Sequence, residues 1–156
     1  MNELSICVYS NVNKKTDLFE NVVYNNFIHL AQDPDLKHTV QEIHRIFTCD
    51  GLQLYLCILN KKIVAYLLGE IMTLNDKRNV LYITYIFTAP KYRNKGIASM
   101  LLNKAEEIAK LKDLHGILLT CDTEDKKVYD LYIKRGFMLD FHLRRYTKYD
   151  VLFLNV

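Results

Sequence analysis

Arg93, Gly96 and Ala98, spaced Arg-x-x-Gly-x-Ala, stand where an apolar run ends and an amphipathic one begins. That junction suits anion binding. The run from Val80 to Phe87 is rich in β-branched and aromatic residues, as a strand requires, and Ala89-Pro90 ends it because proline has no N–H to give a ladder. Beyond the loop, Ala98, Leu101, Leu102, Ala105, Ile108 and Ala109 recur at helical spacing, with Asn103, Lys104, Glu106, Glu107 and Lys110 opposite. The first turn of a helix has N–H groups without intrahelical partners, and its dipole adds positive charge there, so backbone alone can hold a phosphate. Gly96 lets the chain approach a bulky anion, and Lys91, Arg93 and Lys95 add charge around it. An ordinary βα turn with solvated lysines has the same ingredients, and one glycine does not separate the two.

A second group lies downstream, in Leu131-Tyr132-Ile133-Lys134-Arg135-Gly136-Phe137. Its tyrosine hydroxyl is a group that can act as a general acid. Val128, Leu131 and Tyr132 also form an i, i+3, i+4 stripe, so Tyr132 reads equally well as core.

Taken together, the two groups resemble the GNAT superfamily of N-acetyltransferases. Arg93-x-x-Gly96-x-Ala98 is similar to that family's Arg/Gln-x-x-Gly-x-Gly/Ala loop for the pyrophosphate of acyl-CoA, and Leu131 to Phe137 to its Leu-Tyr-x-x-x-Gly-Phe signature. The resemblance implies an α/β (α+β) fold: a mixed, mostly antiparallel central sheet of about seven strands flanked by about four helices. It implies acetyl-CoA as acyl donor, held by the loop residues Arg93, Asn94, Lys95, Gly96, Ile97, Ala98 and Ser99. The central strand and the later ILLTC strand are expected to splay, with the pantetheine arm pairing along Ile86, Phe87 and Thr88. Tyr132 takes the place of the residue that protonates the departing thiolate, and Asp125 stands where the family often has asparagine to cap a helix and hold the pantetheine. The implied reaction is direct attack by a primary amine on the thioester in a ternary complex, with a small-molecule or peptide acceptor that the sequence does not name. A backbone N–H facing the acyl carbonyl would stabilise the tetrahedral oxyanion.

The general base is the point of departure from the family. Glu or His is common there at the positions of Tyr82 or Thr84, or an acid at Thr120, and none of these is a carboxylate here. Tyr82 and Thr84 share a strand face and, with Thr120, suit a substrate contact or water relay. Asp122 and Glu70 are alternative bases, each also readable as a solvated or turn-capping carboxylate. The missing base favours a second function, an acyl-CoA-binding module without turnover. The region from Leu119-Thr120-Cys121-Asp122 through Gly136-Phe137 also resembles glucosamine-6-phosphate N-acetyltransferases, but the acceptor positions differ, with Thr84-Tyr85 in place of an acidic pair.

Composition narrows the alternatives. A chain of 156 residues, half hydrophobic and a quarter charged, fits a single globular domain over 1–156. A net charge of +3 with dispersed basic residues argues against nucleic acid and is compatible with an anionic cosubstrate. Cys7, Cys49, Cys57 and Cys121 form no C-x-x-C pair and no set with histidine at metal-ligand spacing, so buried thiols in a reducing cytoplasm are expected, without a metal. No apolar run reaches membrane-spanning length, and the N-terminus lacks the features of a signal peptide. The apolar final strand, VLFLN, leaves monomer and homodimer open.

These groups need positioning elements. Residues 4–10 read as a first strand ended by Asn11 and Asn13. A helix starting near Thr16 or Asp17 carries Phe19, Val23, Phe27 and Leu30 on one face. Asp33-Pro34 reads as the start of a second helix with Leu36, Val40, Ile43 and Phe47. Leu52–Leu59, a turn at Asn60-Lys61-Lys62, and Ile63–Met72 read as a hairpin, with Asn75–Arg78 turning into the central strand. Gly116 opens the ILLTC strand, Asp125 caps a helix from Lys126 to Arg135, and Gly136 closes it. Phe137–Arg145 and Val151–Val156 read as a final hairpin turning at Thr147–Asp150. The histidines at 29, 38 and 44 carry no assigned role.

Overall fold

A computed structural model describes residues 3–11, 19–33, 36, 38–140, 142–143 and 148–156. The expected strand end at Asn13, helix start at Thr16 or Asp17, Pro34, Arg145 and Thr147 lie outside the described residues. The strands are β1 (Leu4–Tyr9), β2 (Leu52–Leu59), β3 (Lys62–Thr73), β4 (Asn79–Thr88), β5 (Gly116–Asp122), β6 (Met138–Leu139) and β7 (Tyr149–Asn155). The helices are α1 (Phe19–Asn26), α2 (Val40–Thr48), α3 (Ile97–Leu111) and α4 (Lys126–Lys134). Strand order is β1-β2-β3-β4-β5-β7-β6, antiparallel except for β4 with β5 in the described pairings. The fold is therefore the mixed α/β class expected, with seven strands and four α-helices among the described residues.

The chain forms two compact units, residues 1–70 with 85–101, and residues 71–84 with 102–156. In the first, β2 pairs with β1 on one side and β3 on the other. The β2–β3 connection is tighter than the expected three-residue turn: Asn60 and Lys61 both adopt positive φ, and Lys62 already pairs with Leu59. Two left-handed residues give a hairpin turn the twist that its strands need. The core of this unit gathers Phe19 and Val23 of α1, Ile43, Ile46 and Phe47 of α2, and Leu52, Leu54, Leu56, Tyr66, Leu68 and Tyr85 of the strands.

Two helix expectations are corrected here. The helical stripe from Phe19 to Leu30 is one α-helix only as far as Asn26; a 3-10 turn, Ile28–Gln32, follows. Asn25 and Asn26 are weak helix formers, and the Phe27 N–H bonds to the Tyr24 carbonyl in the tighter i→i−3 pattern. The second helix begins after Thr39 rather than at Asp33, whose N–H instead closes the 3-10 turn on Leu30. The Thr39 hydroxyl accepts the Glu42 N–H at 3.0 Å, so Thr39-x-x-Glu42 is the true N-terminal signal. Arg45 of α2 then donates to Glu70 of β3 at 2.7 and 3.2 Å and also to Glu42.

In the second unit, β5 pairs parallel with β4 from Val80–Gly116 to Ile83–Leu119, and antiparallel with all of β7. The final strand is thus an interior one, with β6 at the edge. That edge strand is two residues long, not the nine expected from Phe137 to Arg145. Asp140 ends it: its carboxylate, 2% exposed, accepts the N–H groups of His142 and Leu143 at 3.0 and 2.8 Å and turns the chain away. Arg78 pairs with the same carboxylate at 2.7 Å and lies 4.6 Å over the Phe153 ring.

Helix α4 starts where Asp125 accepts the Val128 N–H and ends in a Schellman motif. The Phe137 N–H bonds to the Tyr132 carbonyl at 3.1 Å and the Gly136 N–H to the Ile133 carbonyl at 3.0 Å. Gly136 has φ +100°, and the rings of Tyr132 and Phe137 meet edge to face at 5.5 Å. Arg135 ties this end to α3 through Asn103 at 2.6 Å and Glu106 at 3.2 Å.

Two stability predictions arise from these contacts. Gly136→Ala must hold an L-residue at positive φ, and urea unfolding should show a loss of about 1–2 kcal/mol; an unchanged midpoint would remove the cap from the argument. For Asp140, burial acts to raise the carboxyl, but the Arg78 hydrogen bonds and then the Leu143 and His142 N–H groups outweigh it and hold it below the usual carboxylate range. The ionised group therefore contributes stability above its unfolded pKa, about 3.9, and that contribution disappears as pH falls through the folded value. Asp140→Asn should cost about 3 kcal/mol at pH 7, with the gap to the parent closing in strong acid.

Candidate active site

The anion loop is built by the chain leaving β4. The Ala89 N–H bonds to the Val64 carbonyl at 2.9 Å, Pro90–Tyr92 form a 3-10 turn, and the Arg93 Nε donates back to the Thr88 carbonyl at 2.8 Å. Asn94 and Gly96 both have positive φ, 62° and 78°, and between them they redirect the backbone into α3. A Cβ at Gly96 would meet nothing within 4 Å, so glycine is needed for conformation, and the space above the turn is open. The first helical bond is Met100 N–H to the Gly96 carbonyl, which leaves the Ile97, Ala98 and Ser99 N–H groups facing out of the helix start. Ile97 and Leu101 are buried and fix the helix; Lys91, Arg93, Asn94 and Lys95 are exposed. The Arg93 guanidinium lies 5.7 Å over the Phe87 ring, and the Lys91 and Lys95 amines lie 5.6 and 5.8 Å from the Tyr92 ring. Upstream, the parallel ladder with β5 stops at Ile83–Leu119, although β4 continues through Ile86, Phe87 and Thr88.

In the second unit, Tyr82 and Thr120 come together, their hydroxyls 3.1 Å apart. The Thr84 Oγ1 is buried with no protein partner among the described residues. Asp122 accepts the Glu124 N–H at 2.9 Å, the turn-capping alternative. Glu70 is buried and engaged by Arg45. Both alternative bases are thus committed to structural bonds.

Tyr132 is 5% exposed. Burial, then the neighbouring Cys121 and Asp125, push its phenol well above the ordinary tyrosine range, so it carries its proton at neutral pH. Burial, with Asp125, Asp122 and Asp150 adding to it, pushes the Cys121 thiol up to about 12. A thiol so protonated is no nucleophile, which disfavours an acyl-cysteine intermediate. All four cysteines are free, and no cluster of His, Cys, Asp and Glu fit for a metal occurs among the described residues.

Sequence reasoning left one residue without a role that the structure singles out. His38 is 3% exposed, and its Nδ1 is hydrogen-bonded to the Tyr85 hydroxyl. Its ring stacks on Tyr24 with centroids 5.4 Å apart. Burial lowers its pKa, with the Tyr24 carbonyl opposing and His29 adding to the fall. No local signal marked it, because its partner is 47 residues away in the chain.

Residues 21–137 match the family described as "Acetyltransferase (GNAT) family". An uncharacterized N-acetyltransferase of Methanocaldococcus jannaschii is 32% identical over 85 residues, which are 53% of this chain and 38% of that protein; the chain thus matches well under half of the relative's length. Among solved structures, Arabidopsis thaliana Naa50 in complex with the bisubstrate analogue CoA-Ac-MVNAL is similar with a TM-score of 0.69 at 17% identity, over 97% of this chain and 99% of the other. Aminoglycoside N-acetyltransferase AAC(6')-Iy in complex with CoA is similar with a TM-score of 0.68 at 16% identity, over 94% and 95%. With the family pattern covering three-quarters of the sequence, the chain belongs to the GNAT family of acetyltransferases.

Proposed function

We propose that this protein transfers an acetyl group from acetyl-CoA to a primary amine by direct attack. The observation that carries this reading is the start of α3: outward N–H groups at Ile97, Ala98 and Ser99, an open left-handed Gly96, and basic residues around them, in a chain of the GNAT family. That arrangement fits the pyrophosphate of acetyl-CoA. In this reading Arg93, Asn94, Lys95, Gly96, Ile97, Ala98 and Ser99 hold the phosphates, and Ile86, Phe87 and Thr88 offer backbone groups to the pantetheine. Asp125 has one carboxylate oxygen committed to the α4 cap, which leaves the other for a pantetheine contact.

Tyr132 donates its proton to the thiolate as it leaves. A phenol held protonated by burial is suited to that role, since it is present in the donor form at any neutral pH. The Tyr82 and Thr120 hydroxyls, with Thr84 nearby in sequence, supply a polar strip for the acceptor or a water. One structural relative is named as an aminoglycoside N-acetyltransferase and another is in complex with a bisubstrate analogue carrying a peptide, so aminoglycosides and peptides are the first amines to screen. We propose a reducing, intracellular location from the four free thiols; no helix among the described residues is long and apolar enough to cross a membrane.

One observation favours a second reading, binding without turnover: Asp122 and Glu70, the two alternative bases, are both engaged elsewhere. Two measurements decide. Acetyl-CoA at about 100 times its dissociation constant should stabilise the protein by roughly 2.7 kcal/mol, with dephospho-CoA weaker and Gly96→Val abolishing the effect; no shift at millimolar ligand sinks both readings. Tyr132→Phe should cut amine-dependent CoA release about 100-fold while acetyl-CoA affinity is kept. A binding module has no turnover to lose.

A further inference from the structure

Arg93 is set apart from the other cations of the anion loop by what its side chain touches. Its Nε donates to the Thr88 carbonyl at 2.8 Å, back at the end of β4. The guanidinium lies over the Phe87 ring, 5.7 Å from its centroid. Phe87 is itself a held platform, because its ring packs against Tyr66 at 5.5 Å and meets Phe27 edge-on at 6.1 Å. The Arg93 N–H also closes the 3-10 turn on the Pro90 carbonyl at 3.3 Å, so main chain and side chain of one residue tie the loop to the strand it has just left. Lys91 and Lys95 are placed differently: their amines lie 5.6 and 5.8 Å from the Tyr92 ring, out on the loop itself. Two left-handed residues, Asn94 and Gly96, follow Arg93 directly, and glycine has the widest choice of backbone conformations, so this turn has to be held by its neighbours. A loop already set in its binding geometry loses less freedom when the ligand arrives than one the ligand must order.

The proposed function counts Arg93 with the residues that hold the phosphates. Resting on that acetyl-CoA reading, we propose that Arg93 does so as a positioning residue: acetyl-CoA binding depends on the bond from its Nε to the Thr88 carbonyl rather than on its charge. The counter-charge then comes from Lys91 and Lys95, together with the N–H groups at the start of α3. Arginine combines two properties that other side chains separate, a planar N–H donor partway along the chain and a permanent positive charge at its end. It reaches Nε through Cβ, Cγ and Cδ, and glutamine reaches its amide nitrogen through the same atoms, so Gln keeps a donor at that place without the charge. Lysine keeps the charge but has a methylene there, with its ammonium one atom farther out. The two substitutions therefore give opposite results for a clamp and for a phosphate ligand.

The experiment compares Arg93→Gln and Arg93→Lys with the parent. Amide hydrogen exchange of the ligand-free protein reads the clamp at Tyr92, whose N–H bonds to the Ala89 carbonyl at 2.8 Å, and at Met100, whose N–H bonds to the Gly96 carbonyl at 3.1 Å. Calorimetric titration with acetyl-CoA at low and high potassium chloride reads the site, and the urea midpoint reads global stability. Arg93→Lys is expected to speed exchange at both amides and to weaken acetyl-CoA about 10-fold, the size of one lost hydrogen bond, with the urea midpoint kept. Arg93→Gln is expected to keep the protection and to lose no more than about 3-fold, with the parental dependence on salt. An Arg93→Gln variant that binds as weakly as Arg93→Lys or more weakly, with a reduced salt dependence, makes Arg93 a direct phosphate ligand and overturns the inference; so does parental exchange in Arg93→Lys. A parent that does not bind acetyl-CoA counts against the proposed function itself, and this inference falls with it.

Discussion

The reversal of backbone direction between β4 and α3 is the constraint on which the rest depends. Strand β4 must end with its groups extended, and α3 must begin with its N–H groups aimed outward, within a few residues. Asn94 and Gly96 accomplish this by adopting positive φ, a conformation that costs an ordinary L-residue roughly 1–2 kcal/mol and glycine almost nothing. The turn is kept in shape by local bonds, the Ala89 N–H to Val64 and the Arg93 side chain to the Thr88 carbonyl, so among the exposed basic side chains Lys91 and Lys95 are free of that task. Preorganised backbone donors lose little on binding, and this is why a helix start outperforms a flexible lysine cluster as an anion site.

Burial decides the chemistry of the titratable groups. Tyr132 and Cys121 are both driven toward their protonated forms, one as a usable acid and the other as an inert thiol. The carboxylates follow the opposite logic. Glu70, Asp122 and Asp140 are each held by an arginine or by backbone N–H groups, and each thereby fixes a strand, a turn or an edge. Among the described residues, the His38–Tyr85 and Tyr82–Thr120 pairs bring imidazole and hydroxyl groups together in buried or half-buried positions, bonded to each other rather than to a carboxylate.

The Tyr-x-x-x-Gly-Phe pattern has a structural reason of its own. Gly136 supplies the left-handed residue of the Schellman cap, Phe137 is the residue whose N–H returns to the Tyr132 carbonyl, and the two rings pack on each other. The cap therefore fixes the backbone of Tyr132 and one face of its ring. The reading as core and the reading as catalyst are compatible, because a proton donor must be held still to be useful.

The sequence by itself determined the strands of the β2–β3 hairpin, the junction at Gly96 and the capped helix ahead of Gly136, because each rests on contacts within a few residues: periodicity, turn conformation and caps. It also contained Thr39-x-x-Glu42, which lies inside the helix expected from Asp33-Pro34 and marks its start only once the Glu42 N–H is found on the Thr39 hydroxyl. Only the tertiary structure decided that β6 stops after two residues, that Glu70 belongs to Arg45, and that His38 is buried on Tyr85. Those outcomes depend on partners 25 to 62 positions apart, and no local pattern of types or spacing encodes which distant group a buried charge or imidazole will meet.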